Sequence, residues 1–257
     1  MNIIGIIPAR LASTRLPNKP MASILGMPMI GHVYFRSKMS SILDEVYVAT
    51  CDNEIVDYIA SIGGKAIMTA DTHERASDRT AEALITIEKE TGKKVDIVVM
   101  IQGDEPMITP EMVSAAVQPL LEEADLNITN LMERMGTIEE HEDPAEVKVV
   151  IDKKNNALYF SREPIPSRKK GVSNVPMLKQ VCIIPFRRDF LIEYNEMEQT
   201  PLEIIESVDM NRLIENGIPI RMVMREEETF SVDTKSDLER VNALMASDEF
   251  TKKYLNL

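Results

Sequence analysis

Tryptophan is absent from this sequence of 257 residues, and cysteine is scarce. The two cysteines, Cys51 and Cys182, do not have the spacing of a metal-binding or redox motif. A disulfide framework is therefore disfavoured, and both residues are predicted to be buried thiols. The missing tryptophan and the 17 methionines are compatible with an adaptable core but identify no function.

Long apolar runs are also lacking. No stretch reaches the roughly 20 residues that are needed to cross a bilayer. Met1 and Asn2 lead directly into an apolar segment, without the charged region or cleavage site of a signal peptide. We therefore expect a cytoplasmic protein with no segment inserted in the membrane.

Positive charge is in deficit, because 29 lysines and arginines stand against 42 acids and give a formal charge of −13. Such a charge opposes nonspecific attraction to nucleic acid or to anionic lipid. A polyanionic ligand would need local help from cations clustered in a cleft and from a divalent metal.

Several catalytic fingerprints are missing. The sequence contains neither a GxxxxGK[ST] loop nor a GxGxxG turn, so kinase-like and hydride-transfer functions lose their best support. It also contains no GxSxG elbow and no HExxH pair, which disfavours acyl hydrolysis and zinc proteolysis. The three histidines are scattered: His32 is predicted to pack in a helix, His141 has no motif around it, and His73 keeps a possible ligand role.

What the sequence does contain is a regular alternation of strands and helices, repeated four times before residue 125. This alternation predicts a single doubly wound α/β domain with a mostly parallel sheet. From residue 127 the rhythm changes and predicts a strand-rich sub-domain, or an extension of the sheet. Strands are expected at 128–131, 147–151, 158–160 and 181–184. A helix is expected over 202–215, and Ser77 is expected to cap another that runs to about residue 90.

The first candidate for function is the loop after the first predicted strand. Pro8 ends an apolar, β-branched run, and the loop behind it carries Arg10, Arg15 and Lys19. Ligands of open α/β sheets collect just beyond the carboxyl ends of the strands, so this loop is placed to bind a polyphosphate. A solvated basic loop is the alternative.

The second candidate is the run Gln102-Gly103-Asp104-Glu105-Pro106, which follows the apolar strand predicted at 95–101. Gly103 allows a bend or a close approach of a ligand, and Asp104 is an acid at the mouth of the sheet. Such a carboxylate suits Mg²⁺ together with substrate phosphates, and Asp233 is a candidate second ligand. Alternatively, each aspartate is a turn or cap residue.

The segment 164–176 is basic and rich in turn residues. It could be a mobile flap over a substrate or an uninvolved surface loop.

Several motifs together resemble a known family. They are Ile7-Pro8-Ala9-Arg10, Ser13-Thr14-Arg15-Leu16-Pro17 with Lys19-Pro20, Gln102-Gly103-Asp104-Glu105-Pro106, Val147-Lys148-Val149-Val150, Ala157-Leu158-Tyr159-Phe160-Ser161-Arg162, Pro201-Leu202-Glu203 and Val232-Asp233-Thr234. In this order, over nearly the whole chain, they are similar to those of 3-deoxy-manno-octulosonate cytidylyltransferases, also called CMP-Kdo synthetases.

The resemblance implies a nucleotidyltransferase that couples CTP to an acidic sugar and forms a CMP-sugar and pyrophosphate, in lipopolysaccharide biosynthesis. It implies that Arg10, Lys19, Asp104 and Asp233 are catalytic, with Asp104 and Asp233 holding Mg²⁺. The substrate-binding residues that it implies are Pro8, Ala9, Arg15, His73, Arg75, Ser77, Arg79, Gln102, Gly103, Arg162, Gln180, Glu206 and Asp209. It also implies a nucleotide and metal part at 1–126 and about 211–257, a sugar-binding and dimerisation part at about 127–210, and a homodimer.

The chain departs from the family at two places. Arg75 and Ala76 replace the usual Ser-Gly pair in the loop His73-Glu74-Arg75-Ala76-Ser77-Asp78-Arg79, which helps to shape the base pocket in relatives. The strand Gln180-Val181-Cys182-Ile183-Ile184-Pro185-Phe186 lacks a His and two Tyr that would lie near the sugar, so a more apolar wall is expected. These departures leave two alternatives: a different acid acceptor such as a nonulosonic acid, or a nucleotide-binding protein without transfer activity.

Overall fold

Two β-sheets carry the fold, which a computed structural model describes for residues 1–13, 15–172 and 174–255. The first sheet contains β1 (Ile3–Pro8), β4 (Glu45–Thr50), β5 (Ala66–Met68), β6 (Ile97–Ile101) and β11 (Ile183–Arg187), numbered along the chain. Across the sheet the order is β11-β6-β1-β4-β5. Neighbours are parallel except β11, which runs antiparallel to β6. The predicted α/β class with a mostly parallel sheet is confirmed.

The two central strands follow directly from their sequences. Every residue of β1 and of β6 is buried, because apolar, mostly β-branched side chains face packed helices on both sides of the sheet. The helices around this sheet are α1 (Met29–Lys38), α2 (Asn53–Ser61), α3 (Ala76–Thr91), α4 (Pro110–Glu122) and α6 (Arg188–Glu196). Thr109 caps α4, since its side chain accepts a hydrogen bond from the Met112 amide at 3.2 Å.

The second sheet is built from the middle of the chain. Its strands are β7 (Thr129–Arg134), β8 (Lys148–Ile151), β9 (Ala157–Ser161), β10 (Leu178–Val181) and β12 (Arg221–Arg225), in the order β12-β7-β10-β8-β9. The prediction of one strand at 181–184 was wrong. Two strands meet there, because the chain leaves β10 at Val181 and enters β11 of the first sheet at Ile183. The two sheets do not divide the chain at residues 127 and 211. β11 lies within 127–210 but belongs to the first sheet, and β12 lies after residue 211 but belongs to the second.

Two helix predictions need correction. α3 begins at Ala76 with Arg75 as its N-cap, so Ser77 lies inside the helix, where its hydroxyl is free to bond Asp209. The helix predicted over 202–215 is two helices, α7 (Pro201–Glu206) and α8 (Asn211–Glu215). They are separated by Ser207, whose φ of 51° lies in the left-handed region and ends α7.

The remaining elements flank the two sheets. They are β2 (Ser23–Ile24), β3 (Met27–Pro28), a 3₁₀ turn at Lys19–Met21, α5 (Ile138–Glu142), α9 (Lys235–Met245) and α10 (Glu249–Leu255). A capping box starts α9, with Thr234 and Asp237 bonding each other's backbone amides. No helix among the described residues is both long and apolar enough to span a bilayer.

Candidate active site

Three loops bring their charged side chains together at the carboxyl ends of β1 and β6. The Lys19 Nζ lies 2.6 Å from Asp104 Oδ2 and 2.9 Å from Asp233 Oδ1. Arg15 completes the group, with Nη1 2.9 Å from Asp233 Oδ2. The backbone fixes this meeting, because the Val232 amide donates to the Asp104 carbonyl at 2.9 Å. The two aspartates proposed as metal ligands are therefore neighbours.

The charges of Lys19, Asp104 and Asp233 are largely shielded from solvent, with the Lys19 side chain only 15% exposed, whereas the Arg15 side chain is 58% exposed. Burial lowers the pKa of the Lys19 ammonium, but its ion pairs with Asp104 and Asp233 outweigh burial and leave that pKa above its ordinary value. Lys19 therefore stays charged and balances carboxylates that would otherwise repel each other.

The donor set fits Mg²⁺. Asp104 and Asp233 offer hard oxygen ligands, and both carboxylates contact the same ammonium group, that of Lys19. Mg²⁺ is commonly held by one or two carboxylates plus substrate phosphates. In the part of the chain that the structure describes, no three His, Cys, Asp or Glu side chains cluster as a complete protein cage would require.

A first cavity of about 360 Å³ opens beside this group. Among the residues that line it are the following predicted ones: Pro8, Ala9, Arg10, Arg15, Lys19, His73, Arg75, Arg79, Gln102, Gly103 and Asp104. Thr14, which belongs to one of the family motifs, lies outside the described residues.

Gly103 and Arg79 shape this first cavity. A Cβ atom on Gly103 would lie 3.2 Å from the Pro8 carbonyl oxygen, which is a tight contact, so the close approach of the two loops favours glycine. Arg79 is 3% exposed, its Nη1 donates to Thr69 and Ala70, and its buried Nη2 has no protein partner. A buried guanidinium with a free donor on the cavity wall suits an acceptor atom of a ligand.

His73 has a mainly structural setting at the rim of the first cavity. Its Nε2 pairs with Glu82, and its backbone carbonyl accepts a hydrogen bond from Arg10 Nη1 at 3.4 Å. The described residues of 164–176 line neither the first cavity nor the second, and the alternative of a flap stays a prediction.

A second cavity of about 300 Å³ adjoins the first and shares Arg15, Arg75, Gln102 and Asp104 with it. The predicted residues Arg162, Gln180, Asp209 and Asp233 also line it. Apolar side chains on the same wall include Met100, Cys182, Ile184 and Val208.

Arg162 is held rigidly at the edge of the second cavity. Its Nε donates to the Glu206 carbonyl at 2.9 Å and its Nη1 to the Pro144 carbonyl at 3.0 Å. The Glu206 carboxylate does not line the cavity; it accepts hydrogen bonds from Tyr159 and Ser161 at 2.8 Å and from the Arg162 amide at 2.9 Å. Glu206 therefore supports the wall that carries Arg162.

Ser77 likewise lines neither cavity. Its hydroxyl donates to Asp209 Oδ2 at 3.0 Å. Burial raises the pKa of Asp209, although this hydrogen bond and the charge of Arg75 act in the opposite direction.

Sequence reasoning assigned no role to Glu105 or Glu146, which both line the second cavity. Burial, followed by the charge of Asp104, raises the pKa of Glu105 to about 8, and one of its carboxylate oxygens has no partner. Glu105 lies within the motif Gln102-Gly103-Asp104-Glu105-Pro106, and this position could have identified it as a site residue. Glu146 precedes the motif Val147-Lys148-Val149-Val150, and nothing in the sequence directed its side chain inward.

Two cavities that meet at paired aspartates and cations, at the carboxyl edge of a mostly parallel sheet, define a nucleotidyltransferase site. Comparison with known proteins makes the class more specific. The sequence profile of the family described as "Cytidylyltransferase" matches residues 4–245. The chain belongs to this family.

The similar proteins are CMP-Kdo synthetases, as the motifs predicted. The 3-deoxy-manno-octulosonate cytidylyltransferase of Geobacter metallireducens is 39% identical over 251 residues, covering 94% of this chain and 96% of its own. That of Fusobacterium nucleatum is 42% identical over 241 residues, covering 94% and 96%. A solved structure of a CMP:2-keto-3-deoxy-manno-octonic acid synthetase complexed with CTP is 38% identical and superposes with a TM-score of 0.86, covering 96% of this chain and 99% of its own.

Proposed function

We propose that this protein transfers the CMP group of CTP to the anomeric hydroxyl of 3-deoxy-manno-octulosonate (Kdo) and releases pyrophosphate. The convergence of Lys19, Asp104 and Asp233 where the two cavities meet carries this proposal, because the reacting atoms of two substrates must lie together at such a point. The similar proteins, which are named for this reaction, support it.

In the reaction, the anomeric oxygen of the sugar acid bonds to the α-phosphorus of CTP. The bond between that phosphorus and the oxygen leading to the β-phosphorus breaks, pyrophosphate departs with the electron pair, and the hydroxyl proton is lost to solvent. Negative charge grows on the phosphate oxygens, and fixed positive charge around them lowers the barrier.

The first cavity is the site that we assign to CTP. Arg10, Arg15 and Lys19 would contact the triphosphate and stabilise the departing pyrophosphate, since all three line that cavity. The free Nη2 of Arg79 would donate to an acceptor atom of the cytosine ring.

Asp104 and Asp233 would hold Mg²⁺. When bound, the ion would neutralise phosphate charge and make the sugar hydroxyl easier to deprotonate. The Lys19 ammonium contacts both carboxylates and also lines the first cavity, so it would turn from them to the phosphates of CTP. Chelation should therefore abolish turnover, and added Mg²⁺ should restore it.

The second cavity is the site that we assign to the sugar acid. Arg162 would face the sugar, held in place by the carbonyls around it. Gln102 lies at the border of both cavities, and its backbone N–H donates to the Cys182 carbonyl at 3.0 Å, which fixes this part of the chain between β6 and β11.

A second candidate function keeps the cytidylyl transfer and changes the acceptor. The apolar wall at Cys182 and Ile184 favours a different acid such as a nonulosonic acid, and the Gln180 amide nitrogen donates to Asn130 rather than into the cavity. Pyrophosphate release from CTP and other nucleotides with a panel of acidic sugars decides between the acceptors and tests the choice of base. CTP binding without turnover on any acid would instead support a binding protein.

We also propose a homodimer, a cytoplasmic location and a role in lipopolysaccharide biosynthesis, which rest on the family resemblance. Exposed apolar side chains support the dimer: Leu158 on the edge strand β9 and Ile204 and Ile205 on α7 are 55%, 59% and 74% exposed. Sedimentation that finds only monomer at micromolar concentration would contradict the dimer, and cell fractionation tests the location.

A further inference from the structure

Arg75 stands between the two cavities and lines both of them. Arg75 immediately precedes α3. It belongs to the segment that we call the base loop, residues 73–79, which includes the first turn of α3. This position allows its side chain to contact either substrate or to join the walls that hold them.

The guanidinium of Arg75 is directed at the protein. Its Nη1 lies 2.9 Å from Glu203 Oε1 on α7. Its Nε and Nη2 face the side-chain oxygen of Gln199 at 3.1 and 3.2 Å when that amide is oriented to satisfy both residues. All three nitrogens therefore have acceptors just before or within α7, and Arg75 acts on the substrates through the protein.

Charge balance does not explain this contact. Glu203 is fully buried and is already paired with Arg212, through two hydrogen bonds of 2.7 Å. A single arginine neutralises a single carboxylate, so Glu203 would remain paired if Arg75 were removed. The contact from Arg75 is thus an additional link rather than a requirement for burying Glu203.

A second link runs parallel to the first. Ser77 of the base loop bonds Asp209 at 3.0 Å, and Asp209 lies in the sugar-side turn, which we define as residues 206–209. This turn begins at the last residue of α7, lines the second cavity with residues 207–209 and supplies carbonyls that hold Arg162. The wall of the first cavity and the wall of the second are therefore joined at two points.

We propose that Arg75 is a positioning residue that couples the two substrate sites by fixing the base loop to α7 and the sugar-side turn. When a nucleotide orders the base loop, the link through Glu203 also orders the wall that receives the sugar acid, and the reverse holds equally. Each substrate then tightens the binding of the other, as linkage requires. This inference rests on the proposed function, because it needs two substrates in the two cavities.

The test measures this coupling without turnover. The dissociation constant of α,β-methylene-CTP, in which a carbon replaces the oxygen of the bond that breaks, is determined by titration calorimetry with Mg²⁺. It is measured with and without saturating Kdo, or the acid that the acceptor panel selects. In the wild type, the acid should tighten nucleotide binding about fivefold or more.

Three variants identify the residue responsible. We define the coupling factor as the ratio of the dissociation constants of α,β-methylene-CTP without and with the acid. Arg75→Gln should reduce this factor to near one. Arg75→Lys should restore part of it, since lysine can reach Glu203 but cannot make the additional bonds to Gln199. Arg188→Gln is the matched control: Arg188 pairs with Glu88 at 2.7 Å on the other half of α3, with a similarly buried side chain. It should lower the unfolding temperature without changing the coupling factor.

Three outcomes would overturn the inference: a wild-type factor of one, an unchanged factor in Arg75→Gln, or an equal loss in Arg188→Gln. If Arg75→Gln did not fold, the partial loss expected for Arg75→Lys would decide the matter. The proposed function fails separately, through the absence of pyrophosphate release by the wild type with CTP and every acid tested.

Discussion

Lys19 Nζ lies 2.6 Å from Asp104 Oδ2, although 85 residues separate them. The same ammonium contacts Asp233, which comes from a third segment of the chain. Lys19 thus lies between the two carboxylates that would hold Mg²⁺. Its ion pairs hold the two carboxylates side by side, so the residues that would bind Mg²⁺ and the phosphates of CTP are already assembled at one point.

Asp104→Asn should abolish turnover and leave the fold intact. The amide has nearly the same shape but no charge, so it would bind Mg²⁺ poorly and would leave Lys19 with only Asp233. We expect a loss of kcat of about 10³-fold or more, judged by the cost of removing a transition-state contact. Pyrophosphate release measures the rate, and thermal unfolding checks the fold. Asp57→Asn, at an exposed position on α2, is the control, and near-normal activity of Asp104→Asn would remove Asp104 from the site.

Gly103→Ala should displace the loop that carries Asp104. The added methyl group would lie 3.2 Å from the Pro8 carbonyl oxygen and 3.3 Å from Ile30 Cδ1, and the backbone oxygen cannot turn away as a side chain can. We expect a loss of stability of about 1–2 kcal/mol from overpacking. Because a small displacement of a catalytic group is costly, kcat should fall about 10²-fold.

The matched substitution for Gly103→Ala is Gly136→Ala. A methyl group at Gly136 meets no atom within 4 Å, and its φ is not in the left-handed region. It should leave kcat and the unfolding temperature unchanged. Equal effects of the two substitutions would show that steric contact with Pro8 is not the cause.

The parts of the fold and site that the sequence predicted are those set by local chemistry. The β-branched run of β1 and the apolar run of β6, predicted at 95–101, depend on neighbouring residues alone. The parts that it missed depend on distant contacts. The break between α7 and α8 lies where Tyr159, Ser161 and Arg162 hold Glu206, and these residues are more than 40 positions away in the sequence.

Glu206→Gln should weaken binding of the sugar acid selectively. The carboxylate accepts three hydrogen bonds, and an amide would present donors to the Ser161 hydroxyl or the Arg162 amide. Arg162 would lose its fixed position, so the KM of the sugar acid should rise about tenfold, the equivalent of one lost charged hydrogen bond. The KM of CTP should stay constant. Steady-state kinetics with each substrate varied in turn gives both values.

Glu215→Gln is the control for Glu206→Gln. Glu215 accepts a hydrogen bond from the Leu202 amide at an exposed position and lines neither cavity. It should change neither KM. An equal rise in the KM of CTP and of the sugar acid in Glu206→Gln would indicate general loosening rather than a supported Arg162.

His32 should make stability sensitive to acid. The side chain is fully buried in α1, where its Nε2 donates to the Ile24 carbonyl at 2.8 Å and its Nδ1 accepts from the Tyr254 hydroxyl at 2.7 Å. A neutral ring with its proton on Nε2 satisfies both of these partners. Burial, reinforced by the charge of Arg36, lowers the pKa of His32 below its ordinary value. The unfolded chain therefore binds a proton near pH 6.5 that the folded protein does not accept until the pH is lower.

Stability should accordingly fall as the pH drops below 6.5, with a slope of at most about 1.4 kcal/mol per pH unit from this group. Urea unfolding of the wild type and of His32→Gln at pH 7.5, 6.5 and 5.5 isolates its contribution, because the other titrating groups are common to both. The free energy of unfolding of the wild type, relative to that of His32→Gln, should decrease from pH 7.5 to pH 5.5. Tyr254→Phe should keep the wild-type slope, since burial is the larger cause of the lowered pKa. Parallel pH profiles for the wild type and His32→Gln would show that His32 accepts its proton as readily in the folded protein as in the unfolded chain.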